Sequence, residues 1–317
     1  MDIGQGITFG GGVSITPNPP LSNKAIFGYG ATTVNDSSKV SITNLVSNTG
    51  VVATDTAGVG TARYGLAAAG YGTDKAIFGY GYNNGYVSMT NKVSNTGVVA
   101  ADTTGVGTVR TTLAAAGYGS SGQAIFGYGY AFVSAGTTYS LTNLVSNTGV
   151  VATDTVGVGT TRAQLAAASY GTDKAIFGYG TDFNTEFSLT NKVSNTGVVA
   201  TDVTGVGTAR RSLAAAGYGT DKAIFGYGTT GSTTAITNKV SNTGVVATDT
   251  TGVGTARSSL AAAGYGVGQA IFGYGSAVSV GSVSITNLVS NTGVVATDTV
   301  GVGTARAQLA AASYGLS

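Results

Sequence analysis

One segment of about 48 residues is written six times in this chain, and few folds are built on a period of that length. The phrase Ala-Ile-Phe-Gly-Tyr-Gly begins at Ala25, Ala76, Ala124, Ala175, Ala223 and Ala270. A second phrase, Leu-Ala-Ala-Ala-x-Tyr-Gly, begins at Leu66, Leu113, Leu165, Leu213, Leu260 and Leu309. A unit this short cannot bury both of its faces alone. Neighbouring copies must cover one another, in an open stack or in a closed ring.

The copy from Arg210 to Arg257 reads as strands. Leu213 to Gly219 is apolar with small alanines, and Thr220-Asp221 is a turn. Lys222 to Gly228 follows, centred on Ile224 and Phe225. After a variable stretch, Thr229 to Thr234, come a third strand at Ala235 to Val240 and the turn Ser241-Asn242-Thr243-Gly244. A fourth strand runs from Val245 to Thr250. No window carries a sustained helical period with caps. Four short strands per unit at this period mark a propeller blade.

The phase of the ends points to closure. The first full phrase is a second strand, at Lys24, and the last is a first strand, Leu309 to Gly315. The expected fold is therefore all-β. It is a six-bladed β-propeller of four-stranded antiparallel blades over residues 24–317, its ring closed by the C-terminal strand pairing with the first blade. An open solenoid would need atypical terminal copies, and the last copy is typical. Residues 1–23 form an N-terminal arm, with a strand pair within Gly6 to Thr16 and a stiff tether at Pro17, Pro19 and Pro20.

Composition narrows the function. The 317 residues include 52 glycines, only 9% are charged, and the net charge is +2. That balance is too weak for phosphate-driven nucleic-acid binding. There is no cysteine, histidine or tryptophan. The commonest catalytic base and metal ligand is thus missing, with the only side chain whose ordinary pKa lies between pH 5 and 8. No cofactor, metal or catalytic residue is expected, and stability indifferent to pH across that window is. Met1 to Gly12 lacks the features of a secretory signal, and no apolar run suits a membrane helix. The product is expected to be made in the cytoplasm.

Each copy places an Arg, a small apolar strand, a strand ending in a glycine-rich phrase, and a polar turn in that order. Arg63 precedes Leu66–Gly72 and Ala76–Gly81, and the same order follows Arg110, Arg162, Arg210 and Arg257. From Arg306 the pattern must wrap round to Ala25–Gly30. This resembles the kelch repeat over about 290 residues and implies its propeller architecture. It departs from kelch in having Gly-Tyr-Gly for Gly-Gly, and no Trp before the Arg. The copper chemistry of the galactose oxidase branch does not carry over, since His and Cys are absent. The run Ile3-Gly4-Gln5-Gly6-Ile7-Thr8-Phe9-Gly10-Gly11-Gly12 and the charge-poor tandem copies are similar to repetitive tail-associated proteins of bacteriophages.

An Asp lies eight residues before every repeat Arg: Asp55/Arg63, Asp102/Arg110, Asp154/Arg162, Asp202/Arg210, Asp249/Arg257 and Asp298/Arg306. They form either a ring of ligand-binding charges or, the preferred reading, repeated ion pairs and turn caps between blades. Asp249 to Gly254 invites a calcium or phosphate reading, but each copy offers one carboxylate and leads into a strand. The repeated Tyr29, Tyr80, Tyr128, Tyr179, Tyr227 and Tyr274 are either sugar-stacking shelves or, as preferred, packing residues. The copies differ most in the stretches after the second strand, which carry Tyr82, Tyr86, Tyr130, Phe132, Phe183 and Phe187. A constant scaffold with varied loops is what a recognition surface requires.

The expected function is non-catalytic: a structural or receptor-contacting virion component, tail-associated, attached to other virion proteins through the arm. The alternative is a free, extracellular carbohydrate-binding (lectin-like) propeller with up to six equivalent repeated sites, whose partner is a cell-surface glycan. Neither nucleic acid nor membrane insertion is expected.

Overall fold

The computed structural model describes the strands Ile7–Phe9 and Val13–Ile15 and residues 23–33, 38–132 and 136–316. It is all-β among the described residues, with six three-stranded antiparallel sheets and three two-stranded ribbons. None of its elements is a helix long and apolar enough to cross a membrane. The strands Ile7–Phe9 and Val13–Ile15 pair antiparallel. The tether at Pro17, Pro19 and Pro20, and the docking role of the arm, lie outside the described residues.

Each sheet follows one plan. In the fifth copy Ala214–Tyr218 pairs with Lys222–Gly226, which pairs with Thr237–Val240. Ala215 and Ala216 lie opposite Phe225 and Ile224, so small side chains meet the bulkiest ones. The first strand alternates buried and half-buried positions, whereas Ala223 to Gly226 are all buried. That middle strand is covered along both edges by its own sheet and on both faces by neighbouring sheets, so no polar alternation survives in it.

The fourth segment is less regular than a strand. Val240 bridges Val246 and Thr237 bridges Thr250, a register offset by one residue. The side chain of Asn238 explains the offset, because its Nδ2 donates to the Ala247 carbonyl (3.0 Å), a place a ladder bond would otherwise take. The turn into this segment is set by Ser241, whose Oγ accepts from the N–H groups of Thr243 (3.3 Å) and Val245 (3.1 Å). Gly244 follows at φ 74°, and a Cβ there would stand 2.7 Å from the Tyr170 ring of the preceding sheet.

The cores lie between sheets. One joins Ala166, Tyr170, Ile176 and Tyr179 to Leu213, Phe225 and Val240 of the next sheet. Equivalent clusters join each successive pair. A last one joins Ala261, Ile271 and Tyr274 to Ala25, Phe27 and Leu309, so the sixth copy packs on the first. The strand Ala310–Leu316 pairs with Asn23–Gly28, placing Ala311 opposite Phe27 and Ala312 opposite Ile26. That is the register of every other copy.

A cycle of backbone hydrogen bonds runs between the residues just before the first strands. Thr112 N–H donates to Gly65 O (2.6 Å), Gln164 to Thr112, Ser212 to Gln164, Ser259 to Ser212 and Gln308 to Ser259 (2.8 Å each). Gly65 N–H returns to Gln308 O at 2.9 Å. All six residues sit in the left-handed region, at φ between 52° and 63°. Five of them are not glycine, so the cycle holds backbone that L residues ordinarily avoid.

Candidate functional site

The repeated charges form a framework. Arg162 has no exposed surface, and its guanidinium reaches three segments of its own copy. Nε donates to Tyr179 O at 2.8 Å, Nη1 to Thr160 O at 3.1 Å, and Nη2 to the Asn191 side-chain oxygen. The guanidinium also lies 4.6 Å from the ring centroid of Tyr128 in the preceding sheet.

Each arginine meets the aspartate of the copy it opens, and not the one eight residues before it. Arg63 faces Asp102 (3.8 Å), Arg110 faces Asp154 (3.7 Å), Arg162 faces Asp202 (3.5 Å) and Arg257 faces Asp298 (3.9 Å). Arg210 and Asp249 share Asn238, and Arg306 and Asp55 share Asn44. The period explains why sequence misassigns the partner. An offset that is constant in every copy is matched by a second constant offset to the next copy's aspartate, and only folding chooses between them.

The aspartates also cap turns. Asp249 accepts from Thr208 N–H (3.1 Å), Thr208 Oγ1 (2.6 Å) and Asn238 Nδ2 (2.8 Å). Partial burial alone would raise its carboxyl, but the hydrogen bonds from Thr208 and Asn238, helped by Arg210, hold it below the ordinary value. Its oxygens are thus engaged, which leaves little for the calcium or phosphate reading. Among the described residues no three Asp, Glu, His or Cys come together.

The Gly-Tyr-Gly tyrosines are wholly buried, so they offer no face to a sugar. Tyr80 donates its hydroxyl to Val106 O at 3.1 Å, and its ring lies 5.2 Å from Phe126 of the next sheet. Burial pushes its pKa up to about 12 against the pull of Arg110. All six adopt φ of 62° to 66°, a strained setting for an aromatic residue, held by the Arg above and the Phe beside each ring.

A cavity of about 470 Å³ is lined by first-strand residues from all six copies, among them Gly70, Gly117, Ser169, Gly217, Gly264 and Ser313. The hydroxyls of Ser169 and Ser313 donate to the carbonyls of Gly117 and Gly264, both at 2.8 Å. Lys75 and Lys222, also in its lining, pair with Asp74 and Asp221 at 2.7 Å.

The variable loops behave differently. Tyr82 stacks edge-on to Tyr86 (5.3 Å), Tyr86 to Tyr130 (5.9 Å), and Tyr130 to Phe183 (4.8 Å). Loops of the second, third and fourth copies are thus brought together. Phe132 stands 62% exposed beside Tyr130, and Phe183 is 51% exposed. Phe187 stays apart, half-buried, its N–H bonded to Gly180 O at 2.8 Å. Burial, reinforced by Tyr130, raises the Tyr86 pKa.

The loops hold these rings on ordered backbone. In the second copy the second and third strands lengthen to Lys75–Tyr82 and Tyr86–Val93, with Tyr82 opposite Tyr86. In the fourth copy Asp182 Oδ1 accepts from Asn184 N–H (2.9 Å) and Thr185 N–H (2.7 Å), while Thr181 Oγ1 accepts from Phe183 N–H (2.8 Å).

Several neighbours were not among the expected residues. Tyr64 lies 5.4 Å from Tyr82, Lys39 sits 5.8 Å from the Tyr82 ring and donates to Asn84 (2.7 Å), and Arg211 pairs with Glu186. Tyr64 and Arg211 occupy the position after the framework arginine, where other copies carry Thr111, Ala163, Ser258 and Ala307. That divergence inside a constant segment was the available signal. No family model matches this chain, and no curated protein matches it.

Proposed function

We propose that the chain is a closed six-bladed β-propeller that serves, without catalysis, as a receptor-contacting structural component of a phage virion, associated with the tail. The closed arrangement is supported by the six equivalent sheets, by the core joining the sixth copy to the first, and by the backbone cycle that returns to Gly65. The irregular fourth segment, bridged to the third strand in an offset register, fits the outer rim. The virion setting rests on the charge-poor tandem copies and on the phrase Ile3 to Gly12.

One observation carries the recognition role. Aromatic side chains from three loops cluster on a framework that repeats the same interior six times. The framework does not need them, because the fifth copy folds identically with Thr229 to Thr234 in that place. A loop exchange tests this. Putting the Thr229–Thr234 sequence into the second, third and fourth copies should leave the melting temperature unchanged and abolish adsorption of the protein to host cells. Retained adsorption would refute the role. Native particles provide the second test: the protein should co-purify with them, and deletion of residues 1–22, which spares Asn23 because it belongs to the strand Asn23–Gly28, should detach it.

A further inference from the structure

We infer that the aromatic cluster is one elongated site for a neutral, linear glycan, laid across the loops of the second to fourth copies. The inference rests on the recognition role proposed above and names its ligand. Successive contacts link Tyr64, Tyr82, Tyr86, Tyr130 and Phe183 at centroid steps of 4.8 to 5.9 Å, and Phe132 projects beside them. Most of these rings are tyrosines, apolar on the face and hydrogen-bonding at the tip. A pyranose presents the same two characters, with C–H groups on its faces and hydroxyls round its rim.

The charges beside the cluster balance in number. Glu186 pairs with Arg211, while Lys39, which donates to the neutral Asn84, is offset by the carboxylate of Asp182 in the Phe183 loop. Little net charge is left to attract a polyanion or a polycation. A stable protein partner would ordinarily cover about 800 Å² per side around a packed centre. A succession of rings, each edge-on to the next, suits a narrow ligand better than such a disc.

The Phe183 backbone supplies an independent observation. Phe183 adopts φ 74° and is half exposed, so the chain holds a strained conformation to present an apolar ring to solvent. Strain of this kind gathers at ligand-contacting positions. Asp182 and Thr181 fix the loop around it, so the ring is preorganised and little freedom remains to be lost on binding.

The site is single. The loops of the fifth and sixth copies, Thr229–Thr234 and Ser276–Ser282, carry no aromatic residue. Six equal sites, as in a lectin with one site per repeat, are not expected.

Titration calorimetry of the whole chain with cellohexaose, maltohexaose, mannohexaose and chitohexaose tests the inference. At least one should bind with one site per chain. Phe183→Ala and Tyr130→Ala should each weaken it about tenfold or more, with unchanged melting temperatures, and alanines at Thr229 and Thr230 should not weaken it. Binding by none of the four, or undiminished binding by both variants, overturns the inference. If none binds but the two variants still abolish adsorption to cells, the recognition role survives with a different ligand. If instead they abolish a concentration-dependent dimer seen by sedimentation, the surface belongs to a second copy and the glycan assignment fails.

Discussion

The fourth and fifth copies share one interior and differ at one loop. In both, an alanine strand faces the Ile-Phe strand in the same register, and a buried arginine binds the following Tyr carbonyl at 2.8 Å. Beyond Gly-Tyr-Gly the fourth copy presents Phe183 in a capped, strained loop, whereas the fifth runs through Thr229 to Thr234. The first region is constrained by packing on both neighbours. The second touches no core, so its chemistry is free to answer to something outside the chain. Stability makes no demand for aromatic residues there, which is the ground for the recognition role proposed above.

The comparison breaks first if the interior proves dispensable. Deleting residues 309–316 removes Leu309, Ala310, Ala312 and Tyr314 from two core clusters and strips one edge from Asn23–Gly28. At about 1.5–3 kcal/mol per large buried side chain, plus the lost ladder, the loss should exceed roughly 5 kcal/mol, much of a domain's net stability. Chemical denaturation would register it as a collapse of the midpoint or as aggregation. A truncated chain with an unchanged midpoint would show that the terminal pairing is incidental.

Arg162→Met comes next. It leaves Asp202, Asn191 and the Tyr179 carbonyl without their buried donor. About 3–5 kcal/mol of stability should disappear, the cost of removing one partner from a buried charged network. Asp154→Asn should weaken the third copy, through Thr108 and Arg110, and leave Arg162 in place. A double-mutant cycle would locate the coupling: strong for Asp202 with Arg162, negligible for Asp154 with Arg162.

Much of the interior was legible from the sequence because every copy repeats it. The turn at Ser241 to Gly244, the alanine strand and the Ile-Phe strand all fall where their residue types require. Partnership was not legible, since a perfect repeat carries two constant offsets between any two of its positions. Nor was the bulge, which comes from a side chain, Asn238, taking a backbone acceptor. The loop surface was legible as a set of differing positions. That Phe187 falls outside it and Tyr64 within it depends on how neighbouring loops lean together, which no single copy records.

The pH response should divide the same way, with a smaller effect. With no histidine, stability should be flat between pH 5 and 8. The interior tyrosines set the alkaline edge. Tyr80 and Tyr128 are raised to about 12 by burial, from an ordinary 10.0. Their stabilising contribution is fully present below pH 10 and is lost as pH rises towards 12, because the unfolded chain ionises first. The aspartates Asp55, Asp102, Asp154, Asp202, Asp249 and Asp298 are held below 3.8, so theirs is present above that value and lost in acid. Thermal midpoints from pH 2 to 12 should trace a broad plateau with both edges; a step between 5 and 8 would contradict the framework.

The smallest effect is a near-cancellation. Phe183→Gly removes a large aromatic side chain, yet it should barely change the stability of the protein. Glycine adopts φ 74° without the steric cost that a side chain bears there, and the lost ring is half exposed. Against this stand the edge-on contact with Tyr130, about 0.5–1.5 kcal/mol, and the greater freedom of glycine in the unfolded chain. The terms are of similar size, so the net change should lie within about 1 kcal/mol of zero. Ligand contact should fall all the same, which separates display from packing in one variant. A loss of more than about 1 kcal/mol in the denaturation midpoint would mean that the ring supports the fold, and the contrast between the two copies would then be one of degree.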